Sequence, residues 1–413
     1  MKIAGLITEY NPFHNGHAHH IEEARRLTGA DYLIVVMSMD FVQRGAPAVI
    51  PWQKRAEMAL KGGADLVLGL PVLFSTSSAE VFARAGIALL HLLGCVDSVV
   101  FGSEAGTLDP LQPIAEVLNE EPVSVREEIR TYVRAGYTYP KARAMALESY
   151  FDDSIDDISS VIASPNNILG IEYLRALSYF DSGIQPVTLK RWQAEHHSHE
   201  IHEDVASATL LRKLLTEENG AERVEPFVPE YTGKILKAEY RHTTPITEND
   251  FSGILQYRLV SEKDRLDDYL DFTPQLKERV QNLLPGCFTF TDWADRLNSR
   301  DQTLARIKRA LMHLVLGVTE QDLIDYKEED YCMYARILGF RSKSAPLLTE
   351  IRRNTALPLI SKMADAEKIL TQKAFRLLRM DVFAADLYRN VVFQKYGTQL
   401  KDDFTSGIVK LNV

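Results

Sequence analysis

The chain has 413 residues, of which 46% are hydrophobic and 25% charged, and its formal net charge at pH 7 is −10. This composition predicts a folded protein of two or three domains, and its acidic balance excludes a wholly basic protein that coats nucleic acid. No apolar run approaches the roughly eighteen residues of a membrane span, and the N-terminus lacks a signal-peptide pattern. Because Cys95, Cys287 and Cys332 are far apart and odd in number, we expect reduced thiols, no structural zinc site and a cytoplasmic location.

Short apolar runs alternate with helical patterns through the N-terminal half. The runs predict strands at 3–8, 32–38, 64–70, 97–102 and 185–190, and the patterns between them predict helices at 53–61, 79–93 and 111–118. This alternation is typical of the α/β class, with a Rossmann-like parallel sheet and crossover helices. Such a sheet binds ligands at the carboxyl ends of its strands.

The C-terminal part has a different character. After Glu225 the stretch PFVPEYTG is typical of a linker, and from residue 247 onward helical patterns dominate. Residues 300–380 contain 15 lysines and arginines against 10 acidic residues, within a chain that is acidic as a whole. This basic surface is either an ordinary solvated one or a docking site for a polyanion. We predict one domain over 1–225 and a second, mainly α-helical domain over 226–413.

The turn after the first predicted strand carries the strongest functional signal. His14, Asn15, Gly16 and His17 stand where the first helix should begin. A metal site, an acid/base site and an anion cradle compete as explanations. The start of a helix favours an anion, Gly16 allows close approach of a phosphate or base, and both imidazoles can donate to a phosphoryl group. No acidic residue at suitable spacing completes a metal-ligand set.

A second cluster begins another predicted helix. Ser207, Thr209 and Arg212 combine hydroxyl groups at a helix N-terminus with a guanidinium group one turn later, which predicts a second phosphate-binding site. The histidine-rich segment 195–202 precedes them, and the two clusters contain eight of the eleven histidines.

Together these clusters resemble the nucleotidylyl transferase superfamily, which pairs an [HT]xGH motif with a later Ser-Ser-Thr-x-Ile-Arg motif. This chain departs from the second motif at Ala208 and Leu211 and keeps Thr209 and Arg212. Six longer stretches resemble one family in particular, the bacterial tRNA(Met) cytidine acetate ligases. In chain order they are GLITEYNPFHNGHAHHIEEAR, MSMDFVQRGAPAVIPWQKRAEMAL, GADLVLGLPV, FGSEAG, ASPNNILGIEYLRAL and VASATLLR.

The resemblance implies a reaction and its participants. ATP and acetate would give acetyl-adenylate and pyrophosphate, and the acetyl group would pass to N4 of the wobble cytidine of elongator tRNA(Met), giving N4-acetylcytidine. Mg²⁺ would accompany the triphosphate, held mainly by phosphates and water. No membrane and no obligatory protein partner is implied. The first domain would be catalytic and nucleotidylyl transferase-like, and the second would bind the tRNA.

The resemblance also implies which residues form the site. Those expected to carry catalysis are His14, His17, Thr209 and Arg212. Those expected to bind ATP are Ile7, Thr8, Glu9, Tyr10, Asn11, Pro12, Phe13, His14, Asn15, Gly16, His17, Ala18, His19, His20, Gly102, Asn167, Arg191 and Ser207. Lys190 and Trp192 are further candidates beside Arg191.

Several of these residues have a plainer explanation. His19 and His20 fit a helix surface, and Asn167 fits a helix-turn stabiliser next to Ser164, a natural N-cap. Three polar residues after the second predicted strand either help to seat acetate or cytidine or belong to an ordinary loop. They are Asp40, Gln43 and Arg44.

Contact with the tRNA backbone is predicted for basic residues of the second domain, namely Arg341, Lys343, Arg352, Arg353, Lys373, Arg376 and Arg379. The RSKS stretch at 341–344 resembles the KMSKS loop of class I aminoacyl-tRNA synthetases. We assign it no such role, because SATLLR already supplies the phosphate-holding groups and RSKS lies in the region predicted to be helical.

Two other functions stay open. A small-molecule adenylyltransferase that makes a nucleotide cofactor would explain both motifs but not the basic C-terminal region. A non-catalytic tRNA-binding protein with a relict nucleotide site would explain that region, but the intact His14, His17 and Arg212 argue against decay of the site.

Overall fold

The computed structural model describes residues 1–151, 154, 155, 157–191, 206–299 and 302–412. The strands are β1 (Ile3–Thr8), β2 (Tyr32–Ser38), β3 (Phe41–Val42), β4 (Ala46–Pro47), β5 (Leu66–Leu70), β6 (Ser98–Ser103), β7 (Gln185–Lys190), β8 (Ala335–Arg341), β9 (Leu359–Ile360) and β10 (Val409–Leu411). The strands predicted from the sequence are therefore confirmed as β1, β2, β5, β6 and β7.

Helices surround this sheet and dominate the C-terminal part. Up to residue 224 they are α1 (Asn15–Thr28), α2 (Trp52–Lys61), α3 (Val72–Ser75), α4 (Ala79–Leu92), α5 (Gln112–Glu120), α6 (Val123–Arg134), α7 (Tyr139–Phe151), α8 (Ile158–Ala163), α9 (Pro165–Tyr179), α10 (Ala208–Thr216) and α11 (Gly220–Val224). Beyond it they are α12 (Glu230–Glu239), α13 (Ser252–Ser261), α14 (Pro274–Leu283), α15 (Phe290–Leu297), α16 (Leu304–Leu316), α17 (Glu320–Lys327), α18 (Ala345–Asn354), α19 (Ala366–Ile369) and α20 (Gln372–Tyr396). None of the described helices is long and apolar enough to cross a membrane.

The main sheet has the order β10-β8-β5-β2-β1-β6-β7, with β9 beside β8. From β5 across to β7 the neighbouring strands are parallel. The α/β class with a Rossmann-like parallel sheet is thus confirmed. Because these strands run in one direction, their carboxyl ends meet at one edge of the sheet. The turn from β1 to α1 and the loop after Ser103 of β6 both lie at this edge.

Close packing of helix on strand fixes that edge. A Cβ on Gly5 of β1 would lie 2.6 Å from Cδ1 of Leu90 in α4, and a Cβ on Gly86 of α4 would lie 2.7 Å from Cδ1 of Ile7. Glycine at both positions therefore lets α4 lie directly on β1. The Ile7 side chain therefore packs against α4 at Gly86.

The C-terminal part is mainly helical, as predicted, but it also contributes strands that the sequence did not indicate. β8 pairs antiparallel with β5, so that Phe340 lies opposite Leu66, and β10 extends the sheet beyond β8. The stretch RSKS begins with the last residue of β8, and Ser342–Ser344 form a 3-10 helix that leads into α18. The division of the chain at residue 225 stays a prediction.

Specific contacts join the C-terminal helices to the carboxyl edge. The backbone N–H of Val72, just after β5, donates to Oδ1 of Asp381 in α20 at 2.7 Å. The hydroxyl of Tyr388 in the same helix donates to the carbonyl of Ala48 at 2.8 Å. These contacts hold α20 against the loops that follow β2 and β5.

Candidate active site

The β1–α1 turn is anchored in the core on its apolar side. Tyr10 and Phe13 are 1% and 0% exposed, and their rings meet edge to face with centroids 4.9 Å apart. Asn11 Oδ1 accepts a hydrogen bond from the backbone N–H of Val49 at 2.7 Å. Because the rings of Tyr10 and Phe13 are both buried, these residues support the turn from the core side and do not face solvent.

His14 and His17 form a stacked pair at the start of α1. Their ring centroids are 3.6 Å apart with an interplanar angle of 23°. The backbone N–H of His14, the N-cap, donates to Nδ1 of His17 at 3.3 Å. A neutral His17 therefore carries its proton on Nε2, which leaves that atom as a donor. A Cβ on Gly16 would lie 3.0 Å from Cε1 of His14, so the glycine also makes room for this ring.

His14, His17 and His20 are neutral at pH 7 because the pKa of each is lowered. Burial, followed by the charges of Arg191 and Arg212, lowers the pKa of His14 to about 3. Burial and the neighbouring His14 place the pKa of His17 well below its usual range. Burial and Arg191 lower the pKa of His20 to about 4, and its Nε2 atom is buried although the residue is partly exposed as a whole.

Helix α10 brings the second predicted cluster to the same turn. Ser207 is its N-cap, and the hydroxyl oxygen accepts from the backbone N–H of Leu210 at 3.2 Å. Arg212 Nη1 donates to the carbonyl of Asn11 at 2.9 Å, and Nη2 donates to Thr209 Oγ1 at 3.1 Å. The two motifs are therefore brought together, as predicted. Trp192 and the histidines of 195–202 lie outside the described residues.

Arg191 approaches the site from the end of β7. Its Nη1 donates to Oδ1 of Asn166 at 2.6 Å. A Cβ on Gly102 would lie 3.0 Å from Cγ of Arg191, so the space over this glycine holds the arginine stem. The predicted approach of the nucleotide to Gly102 stays a prediction.

Asn167 acts within the protein. Its Oδ1 accepts from the N–H of Ala105 at 3.0 Å, and its Nδ2 donates to the carbonyl of Val161 at 3.2 Å. Its backbone N–H donates to Oε2 of Glu104 at 2.8 Å. Both ends of the amide are thus engaged, which favours the stabiliser role over the predicted contact with ATP.

Two polar residues that organise the edge were missed by the sequence analysis. Arg55 is 0% exposed, and its guanidinium group donates to the carbonyls of Glu9 at 2.6 Å, Ser38 at 2.8 Å and Ile50 at 3.2 Å. Glu104 accepts from the first backbone N–H groups of α9, an arrangement that a helix N-terminus favours. Glu104 had a local signal in FGSEAG, whereas Arg55 had none.

The other predicted ATP-lining residues occupy the turn and the first half of α1. Thr8 Oγ1 is buried, Asn15 Nδ2 donates to the carbonyl of Pro226 at 3.3 Å, and Ala18 and His19 are partly exposed. Glu9 accepts from the backbone N–H of Gln43 at 2.8 Å through Oε1. Their contact with ATP, like that of Pro12, stays a prediction.

The predicted tRNA-binding residues fall into two groups, of which the first lies at the amino ends of the central strands. Arg341 and Lys343 are there because β8 runs antiparallel to β5. Arg352 and Arg353 are exposed at the end of α18, and Thr355 just after them donates to the carbonyl of Leu92 at 2.7 Å. This is the edge opposite to His14, which argues independently against a phosphate-holding role for RSKS.

The second group lies on α20 and is partly neutralised. Lys373 pairs with Glu329 at 2.8 Å, and Arg376 pairs with Asp322 and Asp325. Arg379 is exposed, two residues before Asp381 at the carboxyl edge. The seven basic residues therefore do not form one continuous patch.

Comparisons with known proteins agree with this site. A family model described as HIGH nucleotidyl transferase matches residues 1–403. A protein named tRNA(Met) cytidine acetate ligase from Thermoanaerobacter sp. (strain X514) is 38% identical over 413 residues and is covered completely by this chain, which it covers completely in turn. The chain belongs to the tRNA(Met) cytidine acetate ligase family. The predicted resemblance is thereby confirmed.

Further members of the family show the same extent of similarity. The tRNA(Met) cytidine acetate ligase of Caldanaerobacter subterraneus subsp. tengcongensis is 39% identical over 412 residues, again with full coverage of both chains. The crystal structure of Thermotoga maritima TmcAL bound with alpha-thio ATP superposes with a TM-score of 0.92 at 30% identity, and the apo form with a TM-score of 0.94 at 31% identity. Both superpositions cover the whole of each chain.

Proposed function

We propose that the protein is an ATP-dependent tRNA(Met) cytidine acetate ligase. The observation that carries this proposal is the match over the full length of both chains to relatives of that name, at 38–39% identity. The similar fold of Thermotoga maritima TmcAL, whose structure contains alpha-thio ATP, supports ATP as the nucleotide. The substrates that act with ATP would be acetate and elongator tRNA(Met), and the reaction would take place in the cytoplasm.

The proposed first step activates acetate. A carboxylate oxygen of acetate attacks the α-phosphorus of ATP, the bond from that phosphorus to the bridging oxygen breaks, and pyrophosphate leaves. Acetate is already an anion at neutral pH, so this step needs no general base. It needs in-line positioning of the two substrates and stabilisation of the charge that develops on the phosphoryl oxygens.

The chain's own groups fit that requirement. His17 is neutral and has a hydrogen-bond donor at Nε2, and His14 stacks on it at the same helix start. Both rings can therefore donate hydrogen bonds to phosphoryl oxygens without transferring a proton. Arg212 and Thr209 are already joined by a hydrogen bond beside the turn and would hold the β- and γ-phosphates. Ser207 would contribute as the first residue of this site, at the N-terminus of α10, where an anion is favoured.

Mg²⁺ would travel with the triphosphate. Among the described residues no group of three or more His, Cys, Asp or Glu side chains could hold a metal ion. Phosphate oxygens and water would therefore supply most ligands of the ion, which would neutralise charge on the leaving pyrophosphate.

The proposed second step transfers the acetyl group. The amine N4 of the wobble cytidine attacks the carbonyl carbon of acetyl-adenylate, the bond to the phosphate oxygen breaks, and AMP leaves. N4 loses one proton and becomes an amide nitrogen in N4-acetylcytidine. The basic residues of the C-terminal part, among them Arg352, Arg353 and Arg379, would contact the tRNA backbone.

The reaction can be tested by following the label of isotopic acetate. Purified protein is incubated with ATP, Mg²⁺, labelled acetate and tRNA(Met), and the digested tRNA is analysed by mass spectrometry. We expect one labelled acetyl group on a cytidine, lost in His17→Gln and kept in His242→Gln, which changes an exposed histidine away from the turn. An unlabelled tRNA together with an adenylylated small molecule would instead favour a cofactor-forming adenylyltransferase.

A further inference from the structure

The β3–β4 hairpin has a rigid turn beside the candidate active site. Phe41 pairs with Pro47 and Val42 with Ala46, which leaves residues 43–45 as the turn. The backbone N–H of Gln43 donates to Oε1 of Glu9 at 2.8 Å, which ties one side of the turn to the end of β1.

The other side of the turn is held by α16. Gly45 has φ +69°, a conformation that favours glycine, and a Cβ there would lie 2.4 Å from the backbone nitrogen of Arg309. The turn is therefore clamped between β1 and α16, and residue 44 between these two anchors has a fixed backbone position.

Arg44 is exposed at this fixed position. Burial lowers the pKa of Arg191 and of Arg212, a carboxylate opposes this at each of them, and the charge of Arg44 lowers both further. Arg44 on the hairpin is therefore close enough to Arg191 after β7 and to Arg212 in α10 for its charge to act on both. Within the described parts of the chain, no hydrogen bond or ion pair engages the Arg44 side chain.

The nearby carboxylates of Glu104 and Glu9 act on Arg191 and Arg212, and both also accept hydrogen bonds from other groups. Glu9 accepts from Gln43, and Glu104 accepts from the start of α9 and from the Asn166 side chain at 2.6 Å. Convergence of like charges raises the free energy of the folded protein unless an anion joins them. An exposed guanidinium group that lacks an acidic partner and stands on a fixed backbone is suited to bind a phosphate in a bidentate manner.

We propose that Arg44 is a further phosphate-binding residue of the active site. The proposal rests on the proposed function, and the phosphate group is carried either by the polyphosphate of ATP or by the backbone of the tRNA. The position of Arg44 beside Arg191 and Arg212, rather than on the basic C-terminal surface, favours the polyphosphate.

Equilibrium binding tests this without turnover. Dissociation constants for ATP and AMP are measured with the wild type, Arg44→Ala, Arg44→Lys and Arg130→Ala, the last changing an exposed arginine of α6. We expect Arg44→Ala to weaken ATP binding at least tenfold and AMP binding less than threefold, with partial rescue by Arg44→Lys. Arg130→Ala should bind both nucleotides as the wild type does.

Binding of tRNA provides the second arm. If ATP affinity is unchanged but Arg44→Ala weakens tRNA binding and reduces the slope of its salt dependence by about one ion, the phosphate belongs to the tRNA. Unchanged affinity for both ATP and tRNA would overturn the proposal. Thermal unfolding of each variant identifies a loss of folding, in which case Arg44→Lys decides. Because nucleotide binding is read without acetate, a failure of acetylation alone would refute only the proposed function.

Discussion

At the scale of single residues, burial decides the protonation of the paired histidines. His14 is 6% exposed, and its pKa is lowered to about 3. Two neutral stacked rings can lie 3.6 Å apart without charge repulsion. The same burial means that protonating either ring in the folded protein carries an unfavourable free energy, which makes the site sensitive to acid.

The lowered pKa of His14 predicts how the free energy of unfolding depends on pH. The unfolded chain takes up a proton near pH 6.5, whereas folded His14 does so only near pH 3, so stability is complete above pH 6.5 and is lost as the pH falls. At pH 5 this residue alone should lower the free energy of unfolding by about 2 kcal/mol relative to its value above pH 6.5. Urea unfolding at pH 7.5, 6.5 and 5 would measure the loss.

The matched variant for this measurement is His14→Gln, which cannot titrate. Its unfolding free energy should fall less between pH 6.5 and pH 5 than that of the wild type. Parallel pH profiles for the two proteins would contradict the burial argument.

Asn167 gives a prediction in which structure and sequence differ. Because its amide bridges Ala105 and Val161, Asn167→Ala should lower the free energy of unfolding by about 1–3 kcal/mol. ATP binding should weaken only as far as the loop after β6 loosens. Denaturant unfolding and ATP titration of the same variant check both statements. A variant that is fully stable but no longer binds ATP would instead support the direct contact with ATP that the family resemblance implies.

At the scale of elements, the spacing of polar residues predicted the site well where it is local. His14 and His17 are three residues apart in one helix turn, and Thr209 and Arg212 are likewise one turn apart, so sequence spacing shows their common face. The roles of Arg55 and Glu104 depend on which loops lie next to them in the fold, and no local pattern contains that information.

Strand β8 shows the corresponding limit for the fold. Its sequence ARILGFR lies among helical patterns and carries two arginines, and its partner β5 is far earlier in the chain. Strands such as β1 and β2 are buried apolar runs between turns and were therefore predictable, whereas an antiparallel pairing across such a separation is decided by tertiary contacts.

The start of α9 was predicted in position but not in its hydrogen bonding. Ser164 is the N-cap of α9 as predicted, but its hydroxyl donates to the carbonyl of Ser160 instead of capping the helix.

The cap of α10 predicts a link between helix order and nucleotide binding. Ser207→Ala removes the hydrogen bond to the N–H of Leu210 and should lower the free energy of unfolding by about 1 kcal/mol. Thr209 and Arg212 lie in the first turns of the helix, so ATP affinity should also fall, which isothermal titration would measure.

Thr371→Ala is the control for this variant, because Thr371 caps α20 in the same way, accepting from Ala374 at 3.2 Å. It should lose similar stability while keeping ATP affinity. An equal loss of ATP affinity in both variants would show that the effect is general destabilisation.

At the scale of the whole molecule, the C-terminal part completes the central sheet and also carries the basic surface. The predicted tRNA contacts then lie on two edges, with Arg352 and Arg353 opposite the paired histidines. A tRNA that uses both must reach around the sheet. Reversing the charge of Arg352 and Arg353 together should weaken tRNA binding, because phosphate contacts are electrostatic, and should leave pyrophosphate release without RNA unchanged.

Reversal of Lys373 and Arg376 provides the comparison. These cations already pair with Glu329, Asp322 and Asp325, so their reversal should cost stability and have less effect on tRNA affinity than the Arg352 and Arg353 variant. Filter binding at two salt concentrations measures both. Unchanged tRNA affinity in the Arg352 and Arg353 variant would remove α18 from the RNA interface.

The central claim is that this site activates acetate with ATP, and release of pyrophosphate tests it most directly. The pure protein is given ATP and Mg²⁺ with and without acetate, before any RNA is added. Acetate-dependent release, abolished in His17→Gln, is the predicted result. Release that does not depend on acetate, both without RNA and after tRNA is added to the same reaction, would contradict the account and favour an adenylyltransferase.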